Sequence, residues 1–219
     1  FMGVAYVLAA GFIIVQRLDA VPSAFQLIVN DAFTGTAAAG GFAGAGVMAA
    51  IRFGVARGVF SNEAGLGTAP IAHAAAKTSN PVQQGKVAML GTFIDTIIVC
   101  SMTALVIILT GSWTSGETGA SLSAHAFAMG LPGYGDYVVS VGLAIFALTT
   151  LLGWSYYGER CVEYISSVAI IPYYRIAWVM AIPIGAVVDL DLIWLIADVL
   201  NGLMAIPNLI ALLLLSPVV

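Results

Sequence analysis

The stretch from Val87 to Thr110 constrains this chain most: it is an apolar run whose one charged side chain is Asp95. As a helix rising about 1.5 Å per residue, it is long enough to cross a hydrocarbon core of about 30 Å. Apolar runs recur at Phe1–Val15, Tyr137–Gly158, Ile176–Val188 and Leu192–Leu215. Over the whole chain 61% of residues are hydrophobic and 8% charged, where a soluble domain carries about 25% charged residues. A soluble fold of 219 residues would need far more polar surface. Backbone groups in lipid must be satisfied internally, which favours helices; barrel strands would alternate apolar and polar residues, and these runs do not. The sequence therefore predicts an all-α membrane protein embedded in a lipid bilayer.

Several other functions find no support. The net charge is −4 and no basic patch points to nucleic acid. Cys100 and Cys161 lie in separate apolar segments without C-x-x-C spacing, and read as small packing residues rather than a disulfide or metal site. The chain begins at Phe1, inside an apolar run, which reads as a fragment lacking an upstream part.

Along the chain, Arg17 and Asp19 end the first run. Val21, Ala24, Phe25, Ile28 and Ala32 then follow at helical spacing after Pro22, as in a short amphipathic helix at the membrane interface. Gly41–Ala76 is too long for one plain crossing and is interrupted at Ser61–Gly67, so it reads as a helix, a break and a second half-helix. The break is expected to separate an upper half ending near Phe60 from a lower half starting near Leu66. A polar loop follows at 77–86. The connection 111–136 is glycine-rich, with room for a short helix at Ala120–Met129. Residues 159–175 form a charged, amphipathic link, and Asn201-Gly202 and Pro207-Asn208 interrupt the last run. The sum is about six transmembrane helices in a single membrane domain, 1–219, the second helix broken. Lys77, Lys86, Arg160 and Arg175 fall in two loops on one side, which the bias of basic residues places in the cytoplasm.

The break carries the most chemistry. Irregular backbone at membrane depth is tolerated where it is buried in protein or lines a cavity. The upper half-helix would present free carbonyls, and the lower half free N–H groups. Such a pair of ends suits a small zwitterion and a cation at mid-membrane. Ser61, Asn62 and Gly65 are the candidate contacts there, and Glu63 would cap the lower half or brace the break; a kink held by glycine packing is the alternative. Asp95 lies well inside its crossing, either neutralising a cation or as a paired structural acid. Phe146, Thr149 and Thr150 stand at i, i+3 and i+4, so two hydroxyls and a carbonyl could offer hard oxygen ligands to a small cation. Threonines in membrane helices also bond their own backbone. Trp154, a turn further on, is a pocket wall or an interface tryptophan. His73, with no ligand-spaced partner, reads as a satisfied core histidine.

Four long motifs then point to a family. They are Gly54–Lys77, including Ser61-Asn-Glu-Ala-Gly-Leu-Gly67, then Leu90–Thr96, Thr149–Tyr164 and Asn201–Asn208. Together they closely resemble the alanine or glycine:cation symporter family over nearly the whole chain. The resemblance implies a sodium-coupled symporter of alanine or glycine in the inner membrane of prokaryotes, sodium being the coupling ion and no further cofactor being needed. It implies a leucine-transporter-like fold of two inverted five-helix repeats. This chain would supply the last helix of the first repeat and the whole second repeat. The amino-terminal half, with the other broken helix, would be missing. Asn62 and neighbouring backbone would then contact the amino acid, Trp154 would favour small side chains, and Thr149 and Thr150 would fall at the shared sodium site. Against this stand an intramembrane enzyme built on Ser61 with His73, or on Asp95, and a non-transporting channel-like subunit. No G-x-S-x-G, Ser-Lys pair or twin-aspartate motif supports the enzyme.

Overall fold

The computed structural model describes residues 2–34 and 47–218. The start of the expected broken crossing, residues 41–46, lies outside the described residues. Every regular element among those described is helical. In chain order they are α1 (Met2–Gln16), α2 (Val21–Thr34), α3 (Val47–Asn62), α4 (Ala69–His73), α5 (Pro81–Phe93), a π-helical segment (Ile94–Cys100), α6 (Ser101–Leu109), α7 (Gly119–Gly130), α8 (Gly135–Ile165), α9 (Ile171–Val187) and α10 (Leu190–Leu215). Short 3-10 turns fill several of the joints.

Among the described residues, four helices are long and apolar enough to cross a membrane: Pro81–Leu109, Gly135–Ile165, Val168–Val187 and Leu190–Leu215. The chain is an all-α, multi-pass membrane protein. The other two expected crossings correspond to shorter pieces. Helix α1 has 15 residues and meets the next helical stretch, Leu18–Asn30, at a bend of 81°. Helix α3 has 16 residues and stops at the break.

Three local expectations change. Helix α8 does not end at Gly158 but runs 31 residues to Ile165. The charges expected to make a surface link instead pair with each other: the Arg175 guanidinium donates to both Glu159 oxygens at 2.5 and 2.9 Å. Glu159 is thus buried with its charge paired. Gly158 leaves the room in which Tyr174 lies close against α8. Secondly, neither Asn201-Gly202 nor Pro207 breaks α10, which is continuous from its Asp189 cap, whose carboxylate accepts from the amides of Asp191 and Leu192. Thirdly, the crossing Pro81–Leu109 contains a π-helical stretch that no sequence period announced.

The chain divides into two compact units. The first comprises Phe1–Gly58 and Gly91–Ala147. Its core is Tyr6, Ala10 and Ile13 of α1 against Val106 of α6, Ala126 and Phe127 of α7, and Val139 of α8. The Tyr6 and Phe127 rings lie 5.0 Å apart. Thr103 already donates to the Val99 carbonyl at 2.7 Å, so its hydroxyl receives the Tyr6 proton across a 2.7 Å contact. Arg17, the residue that ends α1, donates to the Leu109 carbonyl at 2.6 Å and so caps α6. Small residues let the helices approach: a Cβ on Gly130 would come within 2.6 Å of Ile13. The second unit comprises Val59–Leu90 and Leu148–Val219 and contains the break. Apolar side chains on α9 and α10 face outwards along their length, as a lipid-facing surface requires.

Gly130→Val should therefore overpack the first unit and cost about 1–3 kcal/mol. Thermal unfolding of the full-length protein in detergent is the measurement, and Ile13→Ala in the same chain should recover part of the loss.

Candidate functional site

The break begins where α3 runs out. Asn62 is its last residue, and Glu63 then takes φ 53°, the left-handed region that non-glycine residues avoid. Gly65 and Gly67 follow at φ 76° and 84°. A helix cannot propagate through alternating left-handed residues, and only glycine adopts that conformation cheaply, which explains the spacing Gly65-x-Gly67. Helical structure resumes at Ala69, with Pro70 in the first turn, where its missing N–H costs nothing. The break is thus shifted towards the carboxy terminus: α3 ends two residues beyond Phe60, and α4 starts three beyond Leu66 and lasts 5 residues.

Specific contacts replace the lost helical ladder. The Leu66 amide donates to the Glu63 carbonyl at 3.2 Å. The Thr68 hydroxyl donates to the Glu63 carboxylate, bracing the two ends of the break. Glu63 was expected to cap or brace, and it braces. Asn208 of α10 donates from Nδ2 to the Gly65 carbonyl at 3.0 Å. The same side chain lies against Gly67, where a Cβ would stand 3.0 Å from its oxygen. Leu66 and Thr68 are buried between these contacts, at 4% and 5% exposure. On the other side of the break, Phe60 meets Trp194 of α10 edge to face, centroids 5.2 Å apart.

Ser61, Asn62, Glu63 and Gly65 are contiguous in this segment; Ser61 is exposed and the other three are half-buried. The Gly65 carbonyl is engaged by Asn208, which leaves its amide as the backbone group to offer a ligand. Trp154 is half-buried on α8, its ring 6.2 Å from that of Tyr157. Phe146, Thr149 and Thr150 fall on one stretch of α8 and are exposed. Asp95 is half-buried in the first turn of the π-helical segment, in the first unit. His73 is half-buried, and its Nδ1 lies 2.7 Å from the Gln84 amide, so a polar partner accounts for it. No cluster of metal-binding side chains occurs among the described residues. Asn208 and Thr68 were missed as site residues. The signal for Asn208 was present, an amide directly after a proline inside an apolar helix, but it was read as an interruption.

A helix interrupted by left-handed residues and held by polar side chains, in a chain with four helices long and apolar enough to cross a membrane among the described residues, points to the class of multi-pass membrane proteins. The sodium:alanine symporter family profile matches residues 1–219, and the chain belongs to that family, which is one of transporters and not of enzymes. Several relatives are similar over the whole chain. An uncharacterized transporter of Haemophilus influenzae is 52% identical over 221 residues, covering 100% of this chain and 48% of that protein. The sodium/alanine symporter AgcS of Methanococcus maripaludis is 50% identical over 223 residues, again 100% and 48%. The probable sodium/glutamine symporter GlnT of Bacillus subtilis is 38% identical, covering 100% of this chain and 45% of the relative. The chain spans about half the length of the curated relatives it matches.

Thr68→Val removes the hydroxyl that donates to the half-buried Glu63 carboxylate and should cost about 1.5–3 kcal/mol, the range for a hydrogen bond to a charged group. Thr68→Ser should behave like the parent protein in the same thermal unfolding measurement.

Proposed function

We propose that this chain is the carboxy-terminal part of a sodium-coupled symporter that carries alanine or glycine across the cytoplasmic (inner) membrane. The observation that carries this reading is the braced break at Glu63–Thr68, because a helix is interrupted at depth only where its backbone has a use. In this reading Ser61, Asn62 and the Gly65 amide contact the amino acid. Trp154 bounds the pocket on the side of Tyr157 and leaves room for small side chains only. Thr149 and Thr150 hydroxyls, with the Phe146 carbonyl, supply oxygen ligands to sodium. Asp95 serves coupling or structure. The chain forms the last helix of one five-helix repeat and the whole of the inverted second repeat in a leucine-transporter-like fold. The remaining half of the protein then completes both the substrate and the sodium sites. The family match and the name of the relative AgcS support alanine and sodium as the transported pair. GlnT, named for glutamine at 38% identity, shows that the family name alone does not fix the amino acid.

Uptake of labelled alanine by the full-length parent in proteoliposomes tests the reading. Uptake should collapse when sodium is replaced by choline, and transport indifferent to sodium would sink the proposal. Asn62→Ala should raise the alanine KM roughly tenfold or more, the loss of a charge-assisted hydrogen bond, with expression unchanged. Thr150→Val should shift the sodium concentration for half-maximal uptake upwards by a similar factor; an unchanged sodium response removes Thr150 from the ion site.

A further inference from the structure

Helix α10 touches the broken element before its break and within it. Trp194 packs on Phe60, at the end of α3, and Asn208 bonds Gly65 and abuts Gly67 inside the break. The two side chains are separated by about 21 Å along a continuous helix, so α10 lies along the break as a splint lies along a fracture. The contact at Asn208 is the specific one. Its amide is a donor aimed at a carbonyl that has left the helical ladder, and Gly67 has no side chain where one would collide with it. Pro207, next to it, has no N–H and so frees the Leu203 carbonyl from its usual partner, which weakens α10 at the level of the contact.

We infer that Asn208 is a positioning residue: it fixes the conformation of the break, and thereby preorganises Asn62 and the Gly65 amide for the ligand. Holding Gly65 by its carbonyl fixes the plane of the peptide that follows, and with it the Leu66 amide that closes onto Glu63. Glu63–Thr68 closes the segment on itself, whereas Asn208 ties it to another helix, so movement of α10 at Pro207 is transmitted to the break. The consequence for transport rests on the symporter reading above; the ordering of the break does not.

The test uses the full-length parent and alters the contact at Asn208 in two ways. Asn208→Leu removes the donor at similar volume, and Asn208→Asp removes the donor while keeping the side-chain oxygen. Hydrogen exchange of peptides covering 61–69 should accelerate roughly three- to tenfold in each variant, as loss of one hydrogen bond allows, while peptides covering α6 and α7 stay unchanged. Alanine KM should rise by the same factor with the maximal rate within about twofold, since preorganisation acts on binding. Unchanged exchange in both variants overturns the inference. Faster exchange with an unchanged KM overturns the positioning role and leaves Asn208 a structural contact. If the parent carries no alanine at all, the symporter reading fails, and the exchange measurement still decides whether Asn208 orders the break.

Discussion

An amide or carbonyl without a partner inside a bilayer costs several kcal/mol, and the second unit is organised around that penalty. Between Asn62 and Ala69 the helical ladder lapses, and other contacts take it up. The Leu66 amide turns back to Glu63, the Thr68 hydroxyl reaches the Glu63 carboxylate, and Asn208 satisfies Gly65. Leu66 and Thr68 are buried because water would otherwise compete for those groups. The same penalty accounts for Glu159, whose carboxylate is tolerable in a membrane helix because Arg175 meets both of its oxygens.

The first unit solves a different problem. Lipid offers apolar helices no hydrophobic reason to associate, so close packing and a few polar contacts must hold them. Gly130 receives Ile13, and Gly142 leaves room for Met2. Tyr6 sits at the junction, stacking on Phe127 and donating to Thr103. Arg17 ends one helix and caps another, which places a cation at the negative end of α6. An arginine that seemed only to terminate a run is therefore a tie between segments ninety residues apart in sequence, as the Arg17–Leu109 separation of 92 records.

Much of this was legible in the sequence, for physical reasons that can be named. Apolar length identifies a membrane helix whatever its neighbours do, so the crossings ending at Leu109 and Leu215 lie where hydropathy put them. The amphipathic α2 and the short α7 were also found, the former from its 3.6-residue period. Glycines spaced at Gly65 and Gly67 announced the break. Its true ends were hidden, because α3 continues to Asn62 through residues with no strong preference and α4 waits for Pro70. The extension of α8 was misread because charges at 159–175 suggest a surface, and nothing local says that Glu159 will find Arg175. Asn208 required knowledge of which helix lies beside the break, which one sequence does not contain.

The π-helical segment Ile94–Cys100 has a consequence for the registry of its helix. A π turn holds an extra residue relative to an α turn, and one residue rotates everything downstream by about 100° around the axis. Thr103 reaches Tyr6 from the far side of that segment. A single-residue deletion that restored regular α-helix between Asp95 and Ser101 would remove the extra residue together with the turn that absorbs it, and would leave Thr103 and Val106 facing α1. Straightening the same residues into regular α-helix without a deletion would instead turn Thr103 and Val106 away from α1, and the first unit would lose its core without losing one apolar residue. In this crossing the irregular turn acts as a phase setting.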